Sequence, residues 1–297
     1  MPIPMDIATF LVQCLNAVQY GLLLFLVASG LTLIFGIMGV INLAHGSFYM
    51  IGAYMAWGLA PLVAAHLAGG FATVLAIGIV LSVLLGYVLE WAFVSFLYRR
   101  DHLQQVLMTY GLILVFEELR SLVAGNDVHG VAAPASLAGS IALGDLMSYP
   151  VYRLLISAVC VVVALAMWLV LARTRLGMSI RAGASNREMS EALGIDIRFL
   201  YRVVFATGVA LAAFAGMIAA PVSSVYPGMG NAVLILSFVV VVIGGIGSVR
   251  GALLAALLVG FVDTFGKVLV PQASGVAVYV LMAAILLWRP EGLFRQG

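Results

Sequence analysis

The chain has 297 residues, of which 64% are apolar and 9% charged, and its mean hydropathy is +1.19. A water-soluble protein of this length needs far more charge to cover its surface, so the composition excludes that class and predicts an integral membrane protein. The net charge of +2 is too small to suggest a nucleic-acid partner.

Charge-free runs locate the predicted membrane spans, each of which needs about 20 apolar residues. The first run holds either one long helix or two short ones, so we predict eight or nine spans. The fold class is therefore an all-α integral membrane protein, a polytopic helical bundle in which residues 1–297 form one transmembrane domain. In chain order one or two spans lie within 7–44 and its continuation to about residue 61, and the others lie at 71–97, 104–124, 154–172, 203–249 (two spans), 251–270 and 268–288.

The basic residues predict the orientation of the bundle. Six of the 14 Lys and Arg residues lie in 173–202, and others cluster at 99–100 and 289–295. Cytoplasmic loops carry an excess of Lys and Arg, so these three regions are expected in the cytoplasm, together with the C-terminus. The loop 125–149 contains no Lys or Arg and is expected outside. The N-terminus is outside if there are nine spans and inside if there are eight.

The arginine-rich segment 173–200 contains the signals of a short helix. Ser185 or Asn186 can cap its start, Glu188 falls in the first turn, and Gly194 can stop it, which gives about eight residues. A helix this short is only marginally stable alone in water. It therefore needs a surface to dock on, either the bundle itself or another protein. The alternative is a solvated surface loop.

Two glycine-containing segments interrupt apolar runs, "GVINLAHG" at 39–46 and "GGIGSVRG" at 244–251. The second lacks the Lys of a phosphate-binding loop and is flanked by helices, so nucleotide binding is not expected there. Both have Gly at positions 1 and 8 and Ile at position 3, and repeat-built transporters carry such paired interruptions. Irregular backbone at membrane depth is tolerated only inside protein or along a cavity. We therefore predict broken helices at the pore axis or its cytoplasmic mouth, and the candidate translocation-pathway residues are Gly39, Asn42, His45, Gly46, Gly244, Gly245, Gly247 and Gly251.

Asn42 is expected to cap the helix that follows the first break, and His45 falls in its first turn. His45 is either a hydrogen-bonded core histidine or a substrate contact.

Small residues recur every four positions from Gly208 to Ala220, which predicts a ridge for close helix packing. Asp263 and Lys267 are spaced for a local ion pair near the outer end of a span. Gly260 lies in mid-helix, where replacement by Ala is expected to be mild.

Four stretches carry a resemblance to a known family: "GLTLIFGIMGVINLAHGSFYMIGAY" (30–54), "RAGASNREMSEALGID" (181–196), "GGIGSVRGALLAALLVG" (244–260) and "RPEGLF" (289–294). They resemble, in order and spacing, the motifs of the permeases of branched-chain amino-acid ABC importers. The resemblance is closest to the H-type permease, which pairs with a longer M-type permease. Ser190 and Arg250 depart from the residues common in the family.

The resemblance implies a multi-pass permease of the inner (plasma) membrane that forms half of a translocation pathway. Its expected partners are a second, M-type permease, two ABC ATPases and an external or periplasmic solute-binding protein. The chain itself would have no catalytic site, no metal and no cofactor, with ATP and magnesium held by the ATPases. The solute would be small and polar, and a branched-chain or related amino acid is expected. The alternatives are urea, amides or small organic acids as solutes, or an ion-coupled secondary transporter.

By the same resemblance, the segment 173–200 is the cytoplasmic coupling loop that contacts an ATPase. Ala182 and Ala184 would allow close approach to a groove, while Arg181 and Arg187 would face acidic ATPase residues at its rim. The glutamates would cap the helix or pair locally. The candidate coupling residues are Arg181, Ala182, Ala184, Asn186, Arg187, Glu188, Glu191, Ala192 and Gly194.

Overall fold

The computed structural model describes residues 6–66, 70–142 and 148–294. Residues 143–147 of the expected external loop and Arg295 of the expected cytoplasmic tail therefore lie outside the described residues. Within the described ranges the chain forms eleven α-helices and one short antiparallel hairpin, in which Ile141 faces Tyr149. The helices are α1 (Ile7–Met38), α2 (His45–His66), α3 (Gly70–Ala92), α4 (His102–Ala124), α5 (Val151–Arg173), α6 (Arg175–Ser185), α7 (Arg187–Ala192), α8 (Ile197–Ala219), α9 (Met229–Gly244), α10 (Val249–Leu269) and α11 (Ser274–Trp288), and the strands are β1 (Ser140–Ala142) and β2 (Ser148–Pro150).

The predicted class, a polytopic helical membrane protein, is confirmed, but the predicted number of spans is slightly too high. In the described residues, seven helical segments are long and apolar enough to cross a membrane: α1, α2, α3, α5, α8, α10 and Pro271–Trp288, which includes α11. The difference lies in two other predicted spans, α9 and α4, which run across the bundle but fall short of the length or the hydropathy of a full span. α9 has only 16 residues, fewer than the roughly 20 that a crossing needs. α4 is more polar, because Glu117, Glu118 and Arg120 lie in its second half.

The first apolar run, 7–44, contains one long helix. α1 has 32 residues and begins where the carboxylate of Asp6 accepts the N–H of Ile7 at 2.8 Å. It ends at Gly39, whose φ of 64° is left-handed and whose N–H donates to the carbonyl of Phe35. A glycine in this conformation is a common helix stop, since other residues adopt it only with strain.

The bundle has two ends that the helices connect. The end of α1, α6 and the turn between α9 and α10 lie together, since all three border one cavity. We call this the arginine-rich end. The start of α1, the segment 220–228 and the end of α10 lie together at the opposite end, where they border a second cavity. There, His129 and Val225 pair through reciprocal backbone hydrogen bonds of 2.8 Å.

α8 lies at the centre of the bundle and packs against α1, α2 and α3. A methyl group added at Gly30 of α1 would lie 2.6 Å from the carbonyl oxygen of Gly208. One added at Gly216 would overlap the carbonyl oxygen of Tyr49 in α2. The predicted ridge of small residues therefore does bring helix backbones into direct contact, which is how helices associate in lipid.

The expectation that Gly260→Ala is mild is wrong. A β-carbon at Gly260 would lie 2.6 Å from the carbonyl oxygen of Ala17 and 2.7 Å from the backbone nitrogen of Gly21, both in α1. The gain in helix propensity, about 1 kcal/mol, cannot offset a clash between two backbones that leaves no side chain to move aside.

Two glycines in α2 provide a matched test of this packing. A β-carbon at Gly52 would overlap the backbone of Ala213 in α8, whereas one at Gly58 meets nothing within 4 Å. We predict that Gly52→Ala lowers the free energy of unfolding by at least about 2 kcal/mol. Gly58→Ala should leave it unchanged or raise it by up to about 1 kcal/mol. The measurement is denaturant unfolding of the detergent-solubilised protein, and equal stability of the two variants would contradict the close contact of α2 with α8.

Candidate functional site

The first break, 39–44, contacts α4, and its residues Val40, Asn42 and Ala44 are buried. The carboxamide oxygen of Asn42 accepts the N–H of Ala44 at 3.1 Å, which forms a side-chain turn just before α2 rather than a bond to the helix itself. The N–H of Ile41 donates to the carboxamide oxygen of Gln105 at 3.4 Å, and the hydroxyl of Thr109, whose shortest bond is to the carbonyl of Gln105 at 2.9 Å, lies 3.4 Å from the carbonyl oxygen of Ile41. Polar backbone groups of the break thus have hydrogen-bond partners inside the protein. Such partners are needed because the interior of a membrane holds no water to satisfy them.

His45 has the contacts of a buried core histidine. Its ring is fully buried, and Nε2 lies 2.9 Å from the carbonyl oxygen of Val27 in α1, so Nε2–H is the donor. Val27 lies about three turns, or roughly 16 Å, before the end of α1. α2 therefore begins deep within the bundle, and His45 contributes to the wall of neither cavity described below.

The second break is a tight turn between α9 and α10. Gly245 and Gly247 have φ values of 94° and 79°, a region that favours glycine. The hydroxyl of Ser248 accepts the N–H of Gly251 at 3.1 Å and caps α10. A β-carbon at Gly244 would lie 2.6 Å from the carbonyl carbon of Gly251, so the two helix ends also touch through glycine.

The C-terminal "RPEGLF" segment closes over this turn. The N–H of Leu293 donates to the carbonyl of Ile243 at 2.8 Å, and a β-carbon at Gly292 would lie 2.7 Å from the Cα of Gly245. Two motifs that are far apart in the sequence therefore form one structural unit at the arginine-rich end.

The candidate pathway residues do not form one site. Gly46 packs against Gly230 at the start of α9, where a β-carbon on Gly230 would lie 2.6 Å from the carbonyl oxygen of Gly46. Gly39 caps α1, and Gly244, Gly245 and Gly251 build the turn described above. Gly247 lines the cavity at the arginine-rich end. A role of these residues in translocation stays a prediction.

The helix predicted in the arginine-rich segment is present as α7. The carboxamide oxygen of Asn186 accepts the N–H of Met189 at 2.9 Å, which confirms Asn186 as the cap. Gly194 has a φ of 85°, and the N–H of Ile195 donates to the carbonyl of Ser190 at 3.0 Å, which closes the helix end. α7 has six residues rather than eight, and α6 precedes it as a second helix.

The segment that holds the expected coupling residues has a side packed on the bundle and a side that is exposed. Gly183 and Ser190 are buried against the bundle and Ala182 is half-buried. Two large apolar side chains point outward from α7 and its end: Met189 is 58% exposed and Leu193 is 75% exposed. The exposed members of the expected coupling set are Arg181, Ala184, Asn186, Glu188, Glu191, Ala192 and Gly194, and Arg187, like Ala182, is half-buried.

Both arginines expected at the rim have partners within the chain. Arg187 pairs with Glu191 at 3.3 Å, and its guanidinium carbon lies 5.4 Å from the ring centre of Tyr201. Arg181 donates to the carbonyl of Leu171 at the end of α5. The local pairing expected for Glu191 is confirmed. A contact of either arginine with a partner protein stays a prediction.

A chain of side-chain contacts connects α7 to α3. The ring of Tyr201 lies beneath the guanidinium of Arg187. The centre of this ring is 4.9 Å from the centre of the Tyr98 ring, in an edge-to-face arrangement. Tyr98 donates its hydroxyl to Glu90, and Arg202 Nε lies 3.1 Å from the other carboxylate oxygen of Glu90. Burial and the Glu90 carboxylate raise the pKa of Tyr98, which keeps its hydroxyl a donor. Glu90 is 1% exposed, so its carboxylate stays charged inside the protein only because Tyr98 and Arg202 stabilise it.

A cavity of about 680 Å³ at the opposite end was not expected from the sequence. The first half of α1, the start of α5, the segment 219–229 and the end of α10 contribute to its wall. The predicted ion pair lies on this wall, with Lys267 Nζ 2.6 Å from Asp263. The sequence did contain one sign of this polar surface. Three amide side chains, Gln13, Asn16 and Gln19, recur every three residues in an otherwise apolar helix. We call this the outer cavity.

A second cavity, of about 660 Å³, lies at the arginine-rich end. The last turns of α1, the ends of α5 and α6, and residues 247–250 line it. Among the described residues, no group of three or more His, Cys, Asp or Glu side chains could hold a metal ion.

The family model described as branched-chain amino acid transport system / permease component matches residues 13–288. The chain belongs to this family. It is 31% identical to the high-affinity branched-chain amino acid transport system permease protein BraD of Pseudomonas aeruginosa, over 97% of this chain and 96% of BraD. It is 29% identical to the corresponding permease protein LivH of Escherichia coli, over 96% of this chain and 95% of LivH. It is also 25% identical to E. coli LivM, over 89% of this chain and 66% of LivM. No solved structure matches the chain.

Two ion pairs of this permease differ in burial and provide a matched test of the contacts around α7. We predict that Arg202→Gln lowers the free energy of unfolding by more than Glu191→Gln does, because it leaves the buried Glu90 without its cation. Glu191→Gln breaks a pair whose side chains are 39% and 50% exposed, and should cost less than about 1 kcal/mol. Denaturant titration in detergent measures both. Similar losses for the two variants would show that Glu90 is not held by Arg202.

Proposed function

We propose that this chain is the membrane-spanning permease subunit of an ATP-driven importer whose solutes are branched-chain amino acids. The family match over 13–288 and the printed functions of BraD and LivH support the solute class. The weaker similarity to LivM supports a second, M-type permease as the other half of the pathway. The structural observation that carries the proposal is α7, a capped helix docked on the bundle with apolar side chains pointing outward.

The arginine-rich end faces the cytoplasm in this proposal, in agreement with the positive-inside rule. α1 begins at the opposite end, so the N-terminus lies outside and the outer cavity opens toward the external solute-binding protein. The segment 289–294 packs on the turn between α9 and α10, so the C-terminus lies in the cytoplasm. The membrane is the inner (plasma) membrane, where such a binding protein meets the permease from outside.

The coupling step requires a rigid contact between an ATPase and the bundle. Met189 and Leu193 are the apolar groups that a groove on an ATPase could bury, and burial of such side chains supplies most of the energy at the centre of an interface. Arg187 and Tyr201 then transmit a displacement of α7 to α8, and Tyr98 and Glu90 transmit it to α3. ATP and magnesium are held by the two ATPases, and this chain binds no cofactor of its own.

Reconstitution tests the function and the coupling helix together. We predict that proteoliposomes containing the permease pair, the ATPases and the binding protein take up leucine only with ATP. Leu193→Asp should weaken retention of the ATPases by about tenfold or more and abolish uptake, because it places a charge in an apolar contact.

The matched control is Val128→Asp, which changes a 65% exposed side chain at the opposite end and should retain both ATPases and uptake. Uptake driven by an ion gradient without ATP would contradict the importer. Uptake of urea, amides or organic acids but not leucine would contradict the solute class. Full activity of Leu193→Asp would mean that α7 does not dock the ATPases.

Exposed positions at the two ends test the orientation. We predict that impermeant thiol reagents label Ala184→Cys and Leu193→Cys only from the cytoplasmic side and Asp127→Cys only from outside. All three positions are exposed, whereas Gly183 is buried against Ile197 and Leu200 and would label poorly. The measurement is mass-tag labelling in intact cells and in inverted vesicles. Labelling of position 193 in intact cells would invert the orientation.

A further inference from the structure

The outer cavity is amphipathic. Its polar part includes Arg153 from α5, Gln19 from α1 and Asp263 from α10. Its volume of about 680 Å³ falls in the range of small-molecule sites, roughly 300–1,000 Å³. The apolar part of its wall is formed by Leu23, Val222, Met229, Val233, Leu236 and Val268.

Arg153 is held in place but has no anionic partner. Its guanidinium donates to the carboxamide oxygen of Asn16 at 2.7 Å, and the hydroxyl of Tyr149 donates to the same oxygen at 3.0 Å. No Asp or Glu among the described residues forms an ion pair with Arg153. A guanidinium has five N–H donors in a planar fork that matches a carboxylate. Most of these donors are therefore available to a bound anion.

Asp263 can exchange one ammonium group for another. The carboxylate is nearly buried, with a side chain 12% exposed, whereas its partner Lys267 is 60% exposed. Lys267 also lies 5.5 Å from the ring centre of Tyr20, next to the carboxylate. When the ammonium of a ligand displaces Lys267 into solvent, the buried carboxylate keeps a cation throughout. The exchange therefore avoids the cost of an unpaired buried charge.

Gln19 supplies the third polar contact. It is only 4% exposed and lies on the cavity wall, and no side-chain hydrogen bond of its amide occurs within the part of the chain that the structure describes. A nearly buried amide without a protein partner is costly unless a ligand or water in the cavity satisfies it. The amide can donate to a carboxylate as well as accept from an ammonium.

We propose that the outer cavity is a binding subsite of the permease for the free zwitterion of an aliphatic α-amino acid. The carboxylate of the ligand faces Arg153 and Gln19, and its ammonium takes the place of Lys267 at Asp263. The aliphatic side chain lies against the apolar wall. The identity of the ligand rests on the proposed function, but the site goes beyond it, because it places selection of the solute in the permease as well as in the binding protein.

Protection of a cysteine in the cavity tests the site directly. Thr264 lies on the wall, and the two native cysteines, which are free thiols, can be replaced by alanine. The complex carrying Thr264→Cys is treated from outside with an impermeant thiol reagent, without ATP and without the binding protein. We expect leucine to slow labelling half-maximally at about 1 mM or below. Leucinamide lacks the carboxylate and 4-methylpentanoate lacks the ammonium, so each should need a concentration higher by about tenfold or more.

Charge-removing variants assign the two ends of the ligand. Asp263→Asn and Arg153→Gln should each raise the half-protecting concentration of leucine by about tenfold or more. Gln19→Leu, which roughly keeps the side-chain volume, should also raise the half-protecting concentration of leucine. This variant tests the site even if a charge variant fails to assemble. The matched control is Glu117→Gln, which removes a carboxylate paired with Arg120 outside the cavity and should leave protection unchanged.

Two outcomes overturn the subsite. The first is absence of protection by leucine in the parent complex, and the second is equal protection by leucine and 4-methylpentanoate. The test is separable from that of the importer because it uses no ATP and no transport. ATP-driven leucine uptake without protection overturns the subsite and leaves the importer intact. Protection without ATP-driven uptake supports the subsite and overturns the importer.

Discussion

Direct contact between helix backbones is the constraint on which the rest of the bundle depends. Lipid tails are as apolar as leucine, so helices in a membrane gain little from hydrophobic burial and associate through close packing. Gly30, Gly208 and Gly216 let α8 touch α1 and α2 without intervening side chains. Backbones in such contact cannot slide past one another without a clash. α1, α2 and α8 therefore behave as one unit, and the chain enters this unit directly from α7.

The charged groups at the two ends of the bundle differ in how completely they are paired. At the arginine-rich end, both carboxylate oxygens of Glu90 are occupied, one by Tyr98 and one by Arg202. A fully satisfied network of this kind rigidifies its surroundings and has no capacity for a ligand. At the opposite end, Arg153 keeps most of its donors and Asp263 has a partner that can leave. The same residue types thus stabilise the contacts between helices at one end and remain available for binding at the other.

What could be predicted from the sequence was local. Asn186 and Gly194 mark the ends of α7 because capping depends on neighbouring residues, and the small-residue ridge of α8 follows from helical periodicity. The predictions that failed depend on contacts between residues that are far apart in the sequence. The cost of changing Gly260 depends on Ala17 and Gly21, which are more than 200 positions away. The outer cavity was missed because its polar groups come from α1, α5 and α10, and no local pattern joins those helices.

The position of α1 explains how a solute path would be closed in this conformation. α1 lines the outer cavity as far as Leu23 and the cavity at the arginine-rich end from Thr32 onward. The two turns between them, Leu24–Leu31, are buried throughout. His45 donates to Val27 within this layer, and Gly30 rests on Gly208. A path along α1 therefore opens only if these contacts part. Because α8 contacts that layer at Gly208 and α7 at Tyr201, a displacement of α7 would act on both the layer and the cavity at the arginine-rich end.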